Sequence, residues 1–172
     1  LIKEKFFVPA YQRGYRWDKK QVMDLLDDIY EFMNKPNKQE GEFYCLQPVV
    51  VLRNGERCEL IDGQQRLTTI KIIHEYLKAK ATFEIEYATR EGSKEYLENI
   101  ANNSKEGLAS KNIDYYFMQR AYLVIEDWFG RMMRDKEETT LEMDFNVTLG
   151  KSCMVIWYEV NEDADAESIF TR

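Results

Sequence analysis

Apolar residues recur along this chain with two different periods, and the switches between them outline a fold. Phe6, Phe7 and Val8 make a short extended run closed by Pro9, which also disfavours a helical backbone at Val8. Tyr11 to Trp17 is aromatic and basic around Gly14, the composition of a structured loop. After Asp18, a residue suited to capping a helix, Val22, Leu25, Leu26, Ile29 and Phe32 recur at helical spacing and predict an amphipathic helix. Asp24, Asp27 and Asp28 fall on its wet face. Asn34 to Gly41 is polar and turn-rich. Phe43 to Leu52 predicts a strand centred on Val49, Val50 and Val51, Asn54-Gly55 is a hairpin signal, and Glu56 to Ile61 is the returning strand. A second amphipathic helix is expected from Gln64 to Ala79 with Leu67, Ile70, Ile73 and Leu77 on its inner face. Thr82 to Ala88 alternates as a strand does.

Beyond this point the pattern is mainly helical. Ser93 opens a helix of roughly nine residues that ends near Asn102-Asn103. Asn112 or Asp114 opens a longer one carrying Tyr122, Ile125, Trp128 and Phe129 inward, and Lys136 to Gly150 leans towards helix. Cys153 to Val160 is a strongly apolar run that predicts a buried strand, and Asp163 to Arg172 begins a last helix. The order is α+β, with strands clustered early and one returning late. We divide it into a small mixed-sheet core over 1–90 and a helical extension of the same domain over 91–172. The chain starts at Leu1 and stops within a helical pattern, so a longer polypeptide, truncated here at its C-terminus, is expected.

Composition narrows the function classes. Hydrophobic residues make up 44% of the 172 and aromatics 13%, enough for a packed core. No run approaches the roughly 18 apolar residues of a membrane span. Cys45, Cys58 and Cys153 stand singly, which with one histidine argues against a zinc site and for reduced thiols in a cytoplasmic protein. The net charge of −7 argues against a general DNA-coating surface, though Arg13, Arg16 and Arg66 could still form a local basic site.

The chemistry concentrates in Ile61-Asp62-Gly63-Gln64-Gln65-Arg66. There a strand ends, a glycine permits a tight turn, and a helix begins whose free N–H groups and dipole favour an anion. Arg66 adds a planar donor fork suited to phosphate, and Gln64, Gln65, Thr68 and Thr69 add donors. Asp62 would repel an anion unless it holds Mg²⁺ or positions a nucleophile; no other metal ligand is assigned. On the residues alone an ordinary strand–turn–helix, with Asp62 capping and the rest solvated, stands beside this reading. In the same way Tyr11, Gln12, Arg13 and Arg16 either stack and pair with nucleic acid or front a loop whose Tyr15 and Trp17 pack under the next helix. His74 reads as half-buried, Tyr87 and Arg90 as strand-end residues in reach of a salt bridge or a phosphate. The run Glu162, Asp163, Asp165, Glu167 reads as acids at a helix start.

VPAYQRGYRW followed by the VMDLLDDI helix, LQPVVV and IDGQQRLTTI resembles the N-terminal domain of the GmrSD family, modification-dependent (type IV) restriction proteins and related phage-defence factors. The likeness continues through FEIEYATREGS, NIDYYFMQRAY and VIWYEVNEDADAESIF. It implies a ParB/sulfiredoxin-like core that binds and hydrolyses a nucleoside triphosphate with Mg²⁺ and couples this to DNA cleavage by a separate C-terminal HNH-type nuclease domain, which this sequence does not contain. Under that resemblance Asp62, Gln65 and Arg66 are the catalytic candidates. Gly63, Gln64, Gln65, Arg66, Thr68, Thr69 and Arg13 contact the nucleotide, and Tyr11, Gln12, Arg13 and Arg16 line the cleft or sense DNA. A non-enzymatic DNA-sensing module and a ParB-like nuclease are the alternatives; the base of the nucleotide and homodimerisation stay open.

Overall fold

A computed structural model describes residues 4–55, 57–104, 112–133 and 138–160. Among these residues the sheet has five strands: β1 (Lys5–Val8), β2 (Tyr44–Asn54), β3 (Arg57–Asp62), β4 (Glu84–Tyr87) and β5 (Cys153–Val160), in the order β4-β1-β3-β2-β5. Only the β2–β3 pair, joined through Asn54 and Gly55, is antiparallel, so the sheet is mixed and the fold is α+β. Among the described residues six helices flank it: α1 (Lys19–Met33), α2 (Gln64–Tyr76), α3 (Ser93–Glu98), α4 (Ile100–Asn103), α5 (Ile113–Met132) and α6 (Glu138–Lys151). Among the described residues no helix is long and apolar enough to cross a membrane.

Local chemistry explains most boundaries. Asp18 caps α1 through the Lys20 N–H, and Gln21 returns a bond to the Asp18 N–H, a reciprocal capping box that satisfies two orphan donors. All five inner residues expected of α1 are buried. Its aspartates are exposed yet employed: Asp27 accepts from Trp128 Nε1 at 2.7 Å and Asp28 from the Tyr44 hydroxyl at 2.8 Å. Trp128 stands edge-on to Tyr30, Phe129 and Phe145 where α1, α5 and α6 meet, within the same hydrophobic core as the sheet residues.

Three expectations need correction. The second helix is not amphipathic: Gln64, Gln65 and every residue from Leu67 to His74 are buried, because α5, α3, α4 and β4 all pack against α2. The strand from Cys153 is present but is an edge strand, and Met154, Ile156 and Tyr158 are about half exposed on its outer face. The helix expected from Ser93 breaks at Asn99 into α3 and α4. The acidic run and the last helix read from 162–172 lie outside the described residues.

Candidate functional site

The turn between β3 and α2 rests on Gly63. Its φ of 97° lies in the left-handed region, and a Cβ there would sit 3.1 Å from Val49 Cγ2, so glycine is needed for conformation and for space. Among the described residues no side chain caps α2, which leaves its first N–H groups without a side-chain partner there. Asp62 is exposed beside them.

Arg66, one turn into α2, reaches back to β2. The β2–β5 ladder shifts register between Leu46 and Val49, where Pro48 lacks an N–H to pair. Arg66 Nη1 donates to the exposed carbonyls of Gln47 (3.2 Å) and Pro48 (3.4 Å), and Nη2 to Gln47 Oε1. Burial works to lower the pKa of its guanidinium and the nearby Asp62 carboxylate opposes this. A cavity of about 180 Å³ opens next to it, lined by Trp17, Asp28, Tyr44 and Gln47.

The two glutamines turn the other way, into the Tyr11–Trp17 loop. Gln65 Oε1 accepts from the Arg16 N–H at 2.7 Å while its Nε2 donates to the Gly14 carbonyl at 2.9 Å, so one amide closes both bonds of a backbone-like pair. Gln64 Nε2 donates to Gln12 Oε1 at 3.1 Å, and Gln12 Nε2 to the Ile61 carbonyl at 2.8 Å. Two motifs some fifty residues apart in sequence are thus one polar unit. Thr68 and Thr69, expected as phosphate donors, are fully buried; their hydroxyls meet those of Tyr87 and Tyr15, each at 2.8 Å, and lock α2 to β4 and to the loop. Burial pushes both tyrosine hydroxyls far up, so they stay protonated.

Tyr15 is buried and Trp17 packs against the core, as the simpler reading of the loop had it. Arg13 stays exposed and makes no hydrogen bond or ion pair among the described residues, and Tyr11 is 62% exposed beside it. Arg16 is committed: it lies over the Phe117 ring at 5.6 Å and pairs with Asp114. Asp114, fully buried in the first turn of α5, also pairs with Arg90. Its carboxylate fills the place where a Cβ on Gly14 would stand, which explains that glycine. Sequence reasoning took Asp114 as a helix opener only; nothing local could connect it to Arg16, 98 residues away.

Among the described residues no group of three or more His, Cys, Asp or Glu could hold a metal ion by itself. The three cysteines are free thiols. No curated protein matches the chain. The family model for the GmrSD restriction endonuclease N-terminal domain matches residues 1–172, the whole chain, which therefore belongs to that family and is part of a restriction-system protein.

Proposed function

We propose that this domain binds a nucleoside triphosphate with Mg²⁺ at the Asp62–Arg66 turn, and that in the full-length protein it hydrolyses the nucleotide and passes its state to a separate HNH-type nuclease domain. The observation that carries this reading is the α2 N-terminus: uncapped by any side chain among the described residues, seated on a left-handed glycine, and flanked by Arg66 and by the loop that carries Arg13. Helix N–H groups, the dipole and two arginines together favour polyphosphate over other anions. Asp62 fits Mg²⁺, which is commonly held by one or two carboxylates with the phosphates completing its shell; the ion would supply charge neutralisation at the phosphates. Gln64 and Gln65 act by holding the loop in place, Asp62 by orienting water or metal, and Arg66 by pairing with phosphate.

Titration calorimetry of the protein with each of the four NTPs and Mg²⁺ is expected to give one binding event for at least one of them. Arg13→Ala should weaken it by roughly 10- to 100-fold, the worth of a charge-assisted hydrogen bond, and leave the melting temperature unchanged because Arg13 is exposed and has no hydrogen-bond or ion-pair partner among the described residues. Absence of heat with all four nucleotides would sink the proposal.

The exposed Tyr11 next to Arg13 favours one further reading, in which the same loop contacts DNA. Its binding should be salt-sensitive despite the net charge of −7 and should fall on Tyr11→Ala, a change that leaves nucleotide affinity intact. Equal loss of both affinities would show that the loop merely shapes the nucleotide cleft.

A further inference from the structure

The two ends of the sheet differ in how they meet solvent. β4 has only four residues and carries Glu84 and Glu86, with Glu84 paired to Lys94 at 3.1 Å. Short length and charge are what keep a strand edge from pairing with another. β5 has eight residues, no proline and no lysine, and among the described residues no strand lies beyond it. Its Met154, Ile156 and Tyr158 alternate along the outer face, about half exposed. The free backbone groups follow from the ladder. Tyr44, opposite Cys153 in the parallel β2–β5 pair, donates its N–H to the Ser152 carbonyl at 2.8 Å. Alternation then turns Met154, Ile156 and Tyr158 towards β2 and leaves the N–H and C=O of Cys153, Val155, Trp157 and Glu159 pointing away from it.

We propose that β5 docks a second copy of this chain, the two strands pairing antiparallel about a twofold axis at Ile156 so that the two sheets become one. This register sets Cys153 against the second copy's Glu159 and Val155 against its Trp157, so every outward N–H and C=O from Cys153 to Glu159 is paired. A two-residue slip either way leaves Glu159 or Cys153 without a partner within β5. On the outer face Ile156 meets its own copy and Met154 meets Tyr158, a sulfur–aromatic contact. Charge is complementary as well. Glu159, the strand's one charge, comes to the end of the second copy's β5 where exposed Lys151 closes α6, and the two acids stay apart. A strip this short falls below the standard interface of roughly 1,600 Å², and two chains of net charge −7 repel each other. The pair is therefore weak, with a micromolar Kd that tightens as salt screens the repulsion. It does not rest on the nucleotide reading, and no nucleotide enters its test.

Sedimentation over a concentration series spanning the micromolar range is expected to show monomer passing into dimer, and more dimer at higher salt. Hydrogen exchange reads the mode of pairing. The amides of Val155 and Trp157 should slow as concentration rises, because they donate only across the new pair, while those of Ile156 and Tyr158, already bonded to β2, should not. Ile156→Lys puts two like charges face to face at the axis and should leave only monomer. Ile156→Cys should give a covalent dimer with diamide, which takes up the two thiol hydrogens as the disulfide forms, since directly opposed residues at such a position lie within disulfide reach. Met154→Cys, which faces Tyr158, should not cross-link. Monomer throughout the series would overturn the proposal. So would a dimer whose Val155 and Trp157 amides exchange as fast as the monomer's, the mark of sheets packed face to face, and both readouts use the unaltered protein.

Discussion

Replacing Asp114 with alanine is expected to cost about 3 kcal/mol of unfolding free energy, the low end of what breaking a buried ion pair costs. The low end applies because the two arginines it pairs with are only partly buried, with side-chain exposures of 31% for Arg16 and 28% for Arg90. Both can rehydrate by swinging outward, so the uncompensated charge is not trapped. What remains is the lost attraction, the repulsion of two guanidiniums left facing one site, and a void beside Gly14 where the carboxylate stood. In a domain of this size each kcal/mol moves the melting temperature by roughly 2–4 °C, so a fall of about 6–12 °C is expected. Urea unfolding of Asp114→Ala, Arg16→Ala and the double variant checks the assignment. Residues that share one ion pair should be strongly non-additive. An unchanged midpoint, or simple addition of the two single effects, would show that Asp114 holds nothing together.

Local rules carried the reading of this chain as far as neighbours in sequence reach. The Asp18 cap, the α1 stripe and the Asn54-Gly55 hairpin each depend on residues a few positions apart, and each is where periodicity and turn chemistry put it. The failures share one cause. Gln64, Gln65, Thr68 and Thr69 look like a wet helix face, yet they are buried because partners from other parts of the chain lie over them. Gln12, Gly14, Tyr15, Arg16 and Tyr87 supply hydrogen-bond partners to these four side chains. Conversely, CMVIWYEV looks buried by composition, but its alternate residues Met154, Ile156 and Tyr158 face outward and stay about half exposed. The strand, the glycine and the helix start of the candidate turn were legible because they are local features. The division of labour inside the motif was not: which donors face the cleft and which hold the loop depends on the 49- to 54-residue separations that the fold closes.

That division of labour makes Arg66 the most informative substitution in the turn. Arg66→Ala should reduce nucleotide affinity by about 100-fold or more, as expected when a bidentate charge-assisted contact to phosphate is lost. It should also cost about 1 kcal/mol of stability, since the carbonyls of Gln47 and Pro48 lose their donor but are exposed enough to turn to water. Arg66→Lys keeps the charge without the planar fork, so it should recover only part of the affinity. Gln47→Ala separates ligand contact from scaffolding. It removes the Oε1 acceptor that steadies the guanidinium but leaves the guanidinium itself, and a residue that grips phosphate should tolerate this with less than a tenfold loss. If Gln47→Ala and Arg66→Ala instead weaken binding equally, Arg66 acts only by fastening α2 to the β2 bulge. The phosphate contact would then have to come from Arg13 and the helix N–H groups alone, which Arg13→Ala in the Arg66→Ala background would reveal as complete loss of binding.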